Sequence, residues 1–196
     1  MLSDTEELIP AGQIMRIFRK GGYRERRDIW VEACQRLGID RDAIMHATDD
    51  FLFLDFLLRN TDRHYNNFGL IRDVESFAIR PAPIYDSGTS LWFDKPTGMV
   101  GSGRVTCKPF KDRHEEQIKL VSSFDWLELS KLDDIEEEWM ELTKGSLFLD
   151  EARRVAVARA LRGRIEMLKE SSRCGTYAAP GTGHDVTEDI RYSGSR

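Results

Sequence analysis

Cysteine is scarce in this 196-residue chain: Cys34, Cys107 and Cys174 stand far apart, odd in number and with no CxxC pair. That pattern suggests neither a zinc site nor a disulfide framework. Long apolar runs are also missing, and none approaches the roughly 18 residues a membrane-spanning helix needs. The opening MLSDTEELIP has neither the basic n-region nor the apolar h-region of a secretory signal. Charge of one sign is weak as well, with a net value of −5 and no long basic run. A phosphate-neutralising face for direct nucleic-acid binding is therefore not expected. With 40% hydrophobic and 32% charged residues, the composition is that of an ordinary folded protein. What remains is a cytoplasmic globular domain, long enough to bury a sizeable core.

Residues 24–37, RERRDIWVEACQRL, place Ile29, Trp30, Ala33 and Leu37 at helical spacing. Asp40 is suited to cap a second helix, predicted from Arg41 to about Arg59, with Asp42 favourable in its first turn. The second half of that helix, FLFLDFLL, is apolar all round, which predicts burial on every side. FGLI and ESFAI, either side of Asp73 and Val74, read as two short strands of a hairpin. Residues 94–110, DKPTGMVGSGRVTCKPF, lack periodicity and read as a long loop. Helices are expected over about 112–122, 130–143 and 150–170, the last with a stripe of Val155, Ala158, Leu161, Ile165 and Leu168. The Gly-, Ser- and Thr-rich end, residues 172–196, reads as a flexible tail. The predicted fold class is mainly α (α+β): a helical bundle with a small central β-hairpin.

Directly after the buried helix comes RNTDRHYNNFGL, residues 59–70, far more polar than a surface turn requires. Asp62 and Asn67 lie five apart, and Asp86 follows nineteen later. Phosphoryl transfer in protein kinases uses three oxygen-bearing groups in this order. An Asp accepts the proton of the attacking hydroxyl, an Asn five residues on holds one magnesium ion, and a later Asp bridges metal to phosphates. Magnesium takes hard oxygen ligands and keeps several waters, so one amide and one carboxylate from the protein suffice. The five-residue gap alone is not diagnostic, since Asp55 and Asn60 share it. The bland alternative is a polar loop with Asx-capped turns, DSG being a common turn tripeptide. It leaves the order of the blocks unexplained.

NTDRHYNNFGL followed by APIYDSGTS resembles the catalytic and metal-binding segments of the HipA family, bacterial serine/threonine kinases known as toxins of toxin–antitoxin modules. The flanking FLFLDFLLRNTD and the later CKPF…HEEQIKLV strengthen that likeness, which spans roughly residues 45–125. The DRHxxN core is also similar to the catalytic loop of phosphoinositide 3-kinases. The resemblance implies the C-terminal lobe of a protein-kinase-like fold over residues 1–171, with a catalytic loop at 60–67, a metal-binding segment at 84–90 and an activation-segment-like loop at 90–111. It implies Asp62 as catalytic base, and Asn67 and Asp86 as the residues that bind magnesium and, through it, ATP. His64 stands two after the base, where ordinary protein kinases carry a Lys; it either contacts the transferring phosphate or braces the loop. Asn60 and Arg63 are expected to pin the loop, and Asp55 to tether its backbone from the buried helix. Ser87 replaces the Phe of the usual DFG triplet, so regulation through that Phe is not expected.

No phosphate-covering Gly-rich loop and no strand Lys paired with a helix Glu precede Asp62. The glycines between Gly98 and Gly103 fall after the metal Asp, and Arg104 and Val105 stand where a P-loop needs Lys and Ser or Thr. The roughly sixty residues before Asp62 read as helix. The expectation is therefore a C-terminal lobe alone, with weak or no activity by itself. Its implied partners are a protein substrate and an antitoxin or an N-lobe-like subunit. Two other readings stay open. One is a kinase-derived lobe kept for docking. The other is a lipid or small-molecule kinase, supported by Lys95, Arg104, Lys108, Lys111 and Arg113 in the loop.

Overall fold

The run FLFLDFLL sits in the second half of an 18-residue helix, the half in which no residue is exposed. The computed structural model describes residues 2–18 and 25–173. In order they form β1 (Glu6–Pro10), α1 (Ala11–Phe18), α2 (Arg26–Arg36), α3 (Arg41–Leu58), β2 (Gly69–Asp73), β3 (Ile79–Pro81), α4 (His114–Gln117), α5 (Ile135–Leu142) and α6 (Glu151–Arg173). The tail expected at 172–196 lies outside the described residues from 174 onward; α6 extends to Arg173.

Helix α3 starts where the sequence predicts. The Asp40 carboxylate accepts from the backbone N–H groups of Asp42 and Ala43 at 2.9 and 3.0 Å, satisfying two donors of the first turn. Phe51, Leu52, Phe53, Phe56 and Leu57 are all buried. Around them pack Trp30, Val31 and Ala33 of α2, Ile14 and Met15 of α1, and Ile165 and Leu168 of α6. The Trp30 indole donates to the Thr48 hydroxyl at 3.2 Å and locks α2 against α3. A second, smaller cluster joins Trp92 to Val157 and Leu161. The buried stripe of α6 therefore runs Val157, Ala158, Leu161, Ile165, Leu168, with Val155 only partly covered.

The sheet has three antiparallel strands in the order β1-β2-β3, one more than the sequence predicts. Strand β1 comes from the segment expected to be wholly helical, and pairs Pro10 with Gly69 and Leu8 with Ile71. Its signal is short and flanked by charge, so periodicity alone does not reveal it. Gly69 is required here: a β-carbon on it would fall 2.2 Å from the Ile9 carbonyl oxygen. The hairpin turns later than predicted. Asp73 accepts from the Ser76 N–H and hydroxyl, both at 2.7 Å, and this turn keeps Glu75–Ala78 out of the strand.

The helix expected over 112–122 is shorter. Residues 112 and 113 are held extended, since Cys107 N–H bonds the Asp112 carbonyl and Thr106 bridges Arg113, so α4 begins at His114 and passes into a 3-10 turn at Ile118–Leu120. The helix expected over 130–143 splits into a 3-10 turn, Leu129–Leu132, and α5. The long loop is irregular as predicted, yet it is packed rather than loose. Gly101, at φ +81°, brings its backbone against α6, where a β-carbon would sit 3.4 Å from that of Ala160.

Candidate active site

Helix α3 ends at Arg59, which adopts the left-handed conformation at φ +57° and turns the chain into the polar segment. Non-glycine residues seldom hold that conformation. Arg59 is held there by its guanidinium, which donates to Asp94 at 2.7 Å and lies over the Trp92 ring. Asn60 then anchors the loop in four directions. Its N–H donates to the Asp55 carbonyl and its side-chain amide to the Asp55 carboxylate, both at 2.8 Å. Its side-chain oxygen accepts from Asp62 N–H at 3.1 Å and the Thr89 hydroxyl at 2.6 Å.

Arg63 is 1% exposed and faces an Asp55 that is 2% exposed. The pair is bidentate, Nε to Oδ2 at 2.9 Å and Nη2 to Oδ1 at 2.8 Å. Burial pushes the Asp55 carboxyl above its ordinary value, while Arg63 and Asn60 pull it down. The remaining Arg63 donors reach across the site. Nη1 bonds the carbonyls of Asn67 (2.8 Å) and Tyr85, and Nη2 bonds the Ser87 hydroxyl at 3.1 Å. One buried guanidinium thus fastens Asn67 to both neighbours of Asp86. Asp55 was expected to tether the loop backbone; it holds mainly the side chains of Asn60 and Arg63, because a buried carboxylate needs strong donors.

The four residues predicted for the site lie on these two fastened segments. Asn67 is buried and donates its amide N–H to the Asp62 carbonyl at 3.0 Å, leaving its amide oxygen as the group able to meet a cation. Asp86 is exposed and left-handed at φ +52°, an uncommon conformation sustained by the bonds to Tyr85 and Ser87 on either side. Asp62 is 38% exposed. His64 is partly exposed; its Nδ1 accepts from Asn66 N–H at 3.3 Å, and its Nε2 lies 3.9 Å from Asp62. Among the described residues no group of three His, Cys, Asp or Glu side chains forms a metal site. An amide oxygen and a carboxylate, supplemented by phosphate oxygens and water, are nevertheless a donor set that suits magnesium and not a soft metal.

Three supports escape sequence reasoning. The first is Lys108, whose Nζ lies 2.7 Å from Asp62 Oδ1 across 46 residues of chain. The second is His114, buried behind the loop. Arg164 donates to its Nδ1 at 2.7 Å, so the ring's proton sits on Nε2 and is donated to the Asn60 carbonyl at 2.9 Å. Burial, with Arg164 beside it, lowers the His114 pKa to about 3, and burial lowers that of Arg164 to about 10. The third is the start of α1, where Ala11 and Gly12 N–H groups donate to the Phe68 and Tyr65 carbonyls at 2.9 and 2.7 Å. The block CKPF…HEEQ carries the only sequence hint, and it specifies no contact.

No helix is long and apolar enough to cross a membrane among the described residues. No family model matches the chain. No curated protein matches it either. Among solved structures, the chain is similar to the proinflammatory kinase CtkA of Helicobacter pylori, with a TM-score of 0.60 at 15% identity, over 87% of this chain and 73% of that one. The fold is therefore that of a kinase-like C-terminal lobe, mainly helical with a small antiparallel sheet.

Proposed function

We propose that this chain is the catalytic lobe of a HipA-like serine/threonine protein kinase, which moves the γ-phosphoryl group of ATP to a protein hydroxyl. The observation that carries the reading is the Arg63 clamp, which joins the Asn67 carbonyl to the Tyr85 carbonyl and the Ser87 hydroxyl. A polar loop and an unrelated turn have no need of a shared buried cation. In this reading Asp62 takes the hydroxyl proton, and Asn67 and Asp86 would hold a magnesium ion, which would supply charge neutralisation at the phosphates. His64 braces the loop through its bond from Asn66, the second of the two roles open to it. The clamp on the α- and β-phosphates is assigned to an N-lobe or N-lobe-like subunit, and an antitoxin is a further partner of such a kinase.

The lipid- or small-molecule-kinase alternative loses ground. Of the five cations in its loop, Lys95 and Lys111 already meet Asp94 and Glu25. The test is transfer of labelled γ-phosphate to a Ser/Thr-rich protein acceptor, followed by phosphoamino-acid analysis. Asp62→Ala is expected to lower transfer at least about 100-fold, the contribution typical of a positioned general base. Equal labelling by both proteins removes Asp62 from that role. Magnesium-dependent nucleotide binding with no transfer in either protein, even when the upper lobe is supplied, favours the docking reading.

A further inference from the structure

We infer that Lys108 is a catalytic residue of this site: its ammonium contacts the phosphoryl group in transit, next to the base. The inference rests on the kinase reading above and adds a residue to it. Its backbone is fixed from the interior. The buried Gln117 amide donates to the Lys108 carbonyl at 2.6 Å and accepts from the N–H groups of Phe110 and Lys111 at 3.0 and 3.2 Å, while the Phe110 ring lies in the core. From this rigid base the Lys108 side chain is 55% exposed and reaches Asp62 Oδ1 at 2.7 Å.

An ion pair that exposed contributes little to stability, so structural need does not account for a buried scaffold built beneath it. His64, the other basic group beside Asp62, is turned to the loop backbone by the Asn66 N–H at its Nδ1, and its Nε2 stays 3.9 Å from the carboxylate. Lys108 is therefore the fixed positive charge at the point where the attacking oxygen, the base and the γ-phosphate must converge. Negative charge spread over the equatorial phosphoryl oxygens is what a preorganised ammonium stabilises. In the step itself the acceptor hydroxyl oxygen bonds to Pγ, the bond from Pγ to the β–γ bridging oxygen breaks, ADP departs with that electron pair, and the hydroxyl proton passes to Asp62. Lys108 stays protonated throughout.

The test compares binding of magnesium–AMP-PNP and magnesium–ADP to the full chain by NMR titration, for wild type, Lys108→Met, Lys108→Arg and Asp86→Asn. Lys108→Met is expected to lose about tenfold in affinity for AMP-PNP, the scale of one charge-assisted hydrogen bond to phosphate, and to keep its ADP affinity. Lys108→Arg should recover part of the loss. Asp86→Asn should weaken both nucleotides. If Lys108→Met binds AMP-PNP like wild type while Asp86→Asn weakens both, Lys108 is not a phosphate contact and the kinase reading stands. If Asp86→Asn changes neither affinity, or if wild type binds neither nucleotide, the kinase reading fails and takes this inference with it. Where the acceptor assay gives turnover, Lys108→Met should lower kcat/KM for ATP by at least that tenfold. A higher kcat overturns the inference, since Lys108 would then be an inhibitory plug on Asp62.

Discussion

Replacing Arg63 by Met removes a guanidinium that makes five hydrogen bonds and leaves the Asp55 carboxylate almost wholly buried with Asn60 as its remaining side-chain donor. Breaking a buried ion pair by deleting one partner costs about 3–5 kcal/mol, because the surviving charge keeps its desolvation penalty. For a domain of this size that corresponds to a fall in Tm of roughly 6–20 °C. Asp55→Leu in the Arg63→Met background removes the stranded charge, so the double variant should be more stable than Arg63→Met alone, a non-additivity of at least about 1 kcal/mol. Stability recovered in this way should not restore the site, because the Tyr85 hydroxyl bond to the Asn66 carbonyl is then left to join the two segments without the buried guanidinium. Urea unfolding followed by circular dichroism gives the stabilities, and titration with magnesium–nucleotide gives the site. A loss below about 1 kcal/mol for Arg63→Met, or a double variant that binds nucleotide like wild type, refutes the clamp.

His114 titrates at about 6.5 in the unfolded chain and near 3 when folded, so the unfolded state binds more protons between those values. Stability should therefore be full above pH 6.5 and fall as pH drops toward 4.5, by at most about 1.4 kcal/mol per unit from this group, and His114→Gln should flatten that slope; equal slopes refute it. Gly69→Ala sets a β-carbon against the Ile9 carbonyl and should cost about 2 kcal/mol or more in urea unfolding, whereas a Gly69→Ala protein within about 0.5 kcal/mol of wild type would contradict the β1–β2 approach. Gly163→Ala in α6 meets open space and should gain up to about 1 kcal/mol in the same assay; a loss would contradict the packing there. Isothermal titration of residues 1–196 with ATP and magnesium should give an affinity weaker than low micromolar, and a low-micromolar value contradicts the need for an upper lobe.

Much of the architecture was legible because its signals are local. Asp40 announces the start of α3, and FLFLDFLL announces its burial. Strand β1 was not legible, because its pairing with β2 links residues 59 to 67 positions apart and five residues carry too little periodicity to declare it. The turn after β2 moved for a related reason: a side chain, Asp73, decides where the strand resumes. At the site, the polar segment stood out by composition and order. The contacts that organise it do not follow from spacing. Asp55 with Arg63 is a charged pair inside an apolar helix environment, and Lys108 and His114 reach the loop from segments about fifty residues downstream.

The central claim is that Asn67 and Asp86 hold one nucleotide-bound metal ion beside the base Asp62. Substituting manganese for magnesium tests it directly, since the paramagnetic ion broadens NMR signals in its immediate neighbourhood. With manganese–AMP-PNP, the amide signals of residues 62–67 and 85–88 and the Asn67 side-chain amide should broaden first, and Asp86→Asn should abolish the effect. Broadening centred elsewhere, or unchanged in Asp86→Asn, would contradict the account.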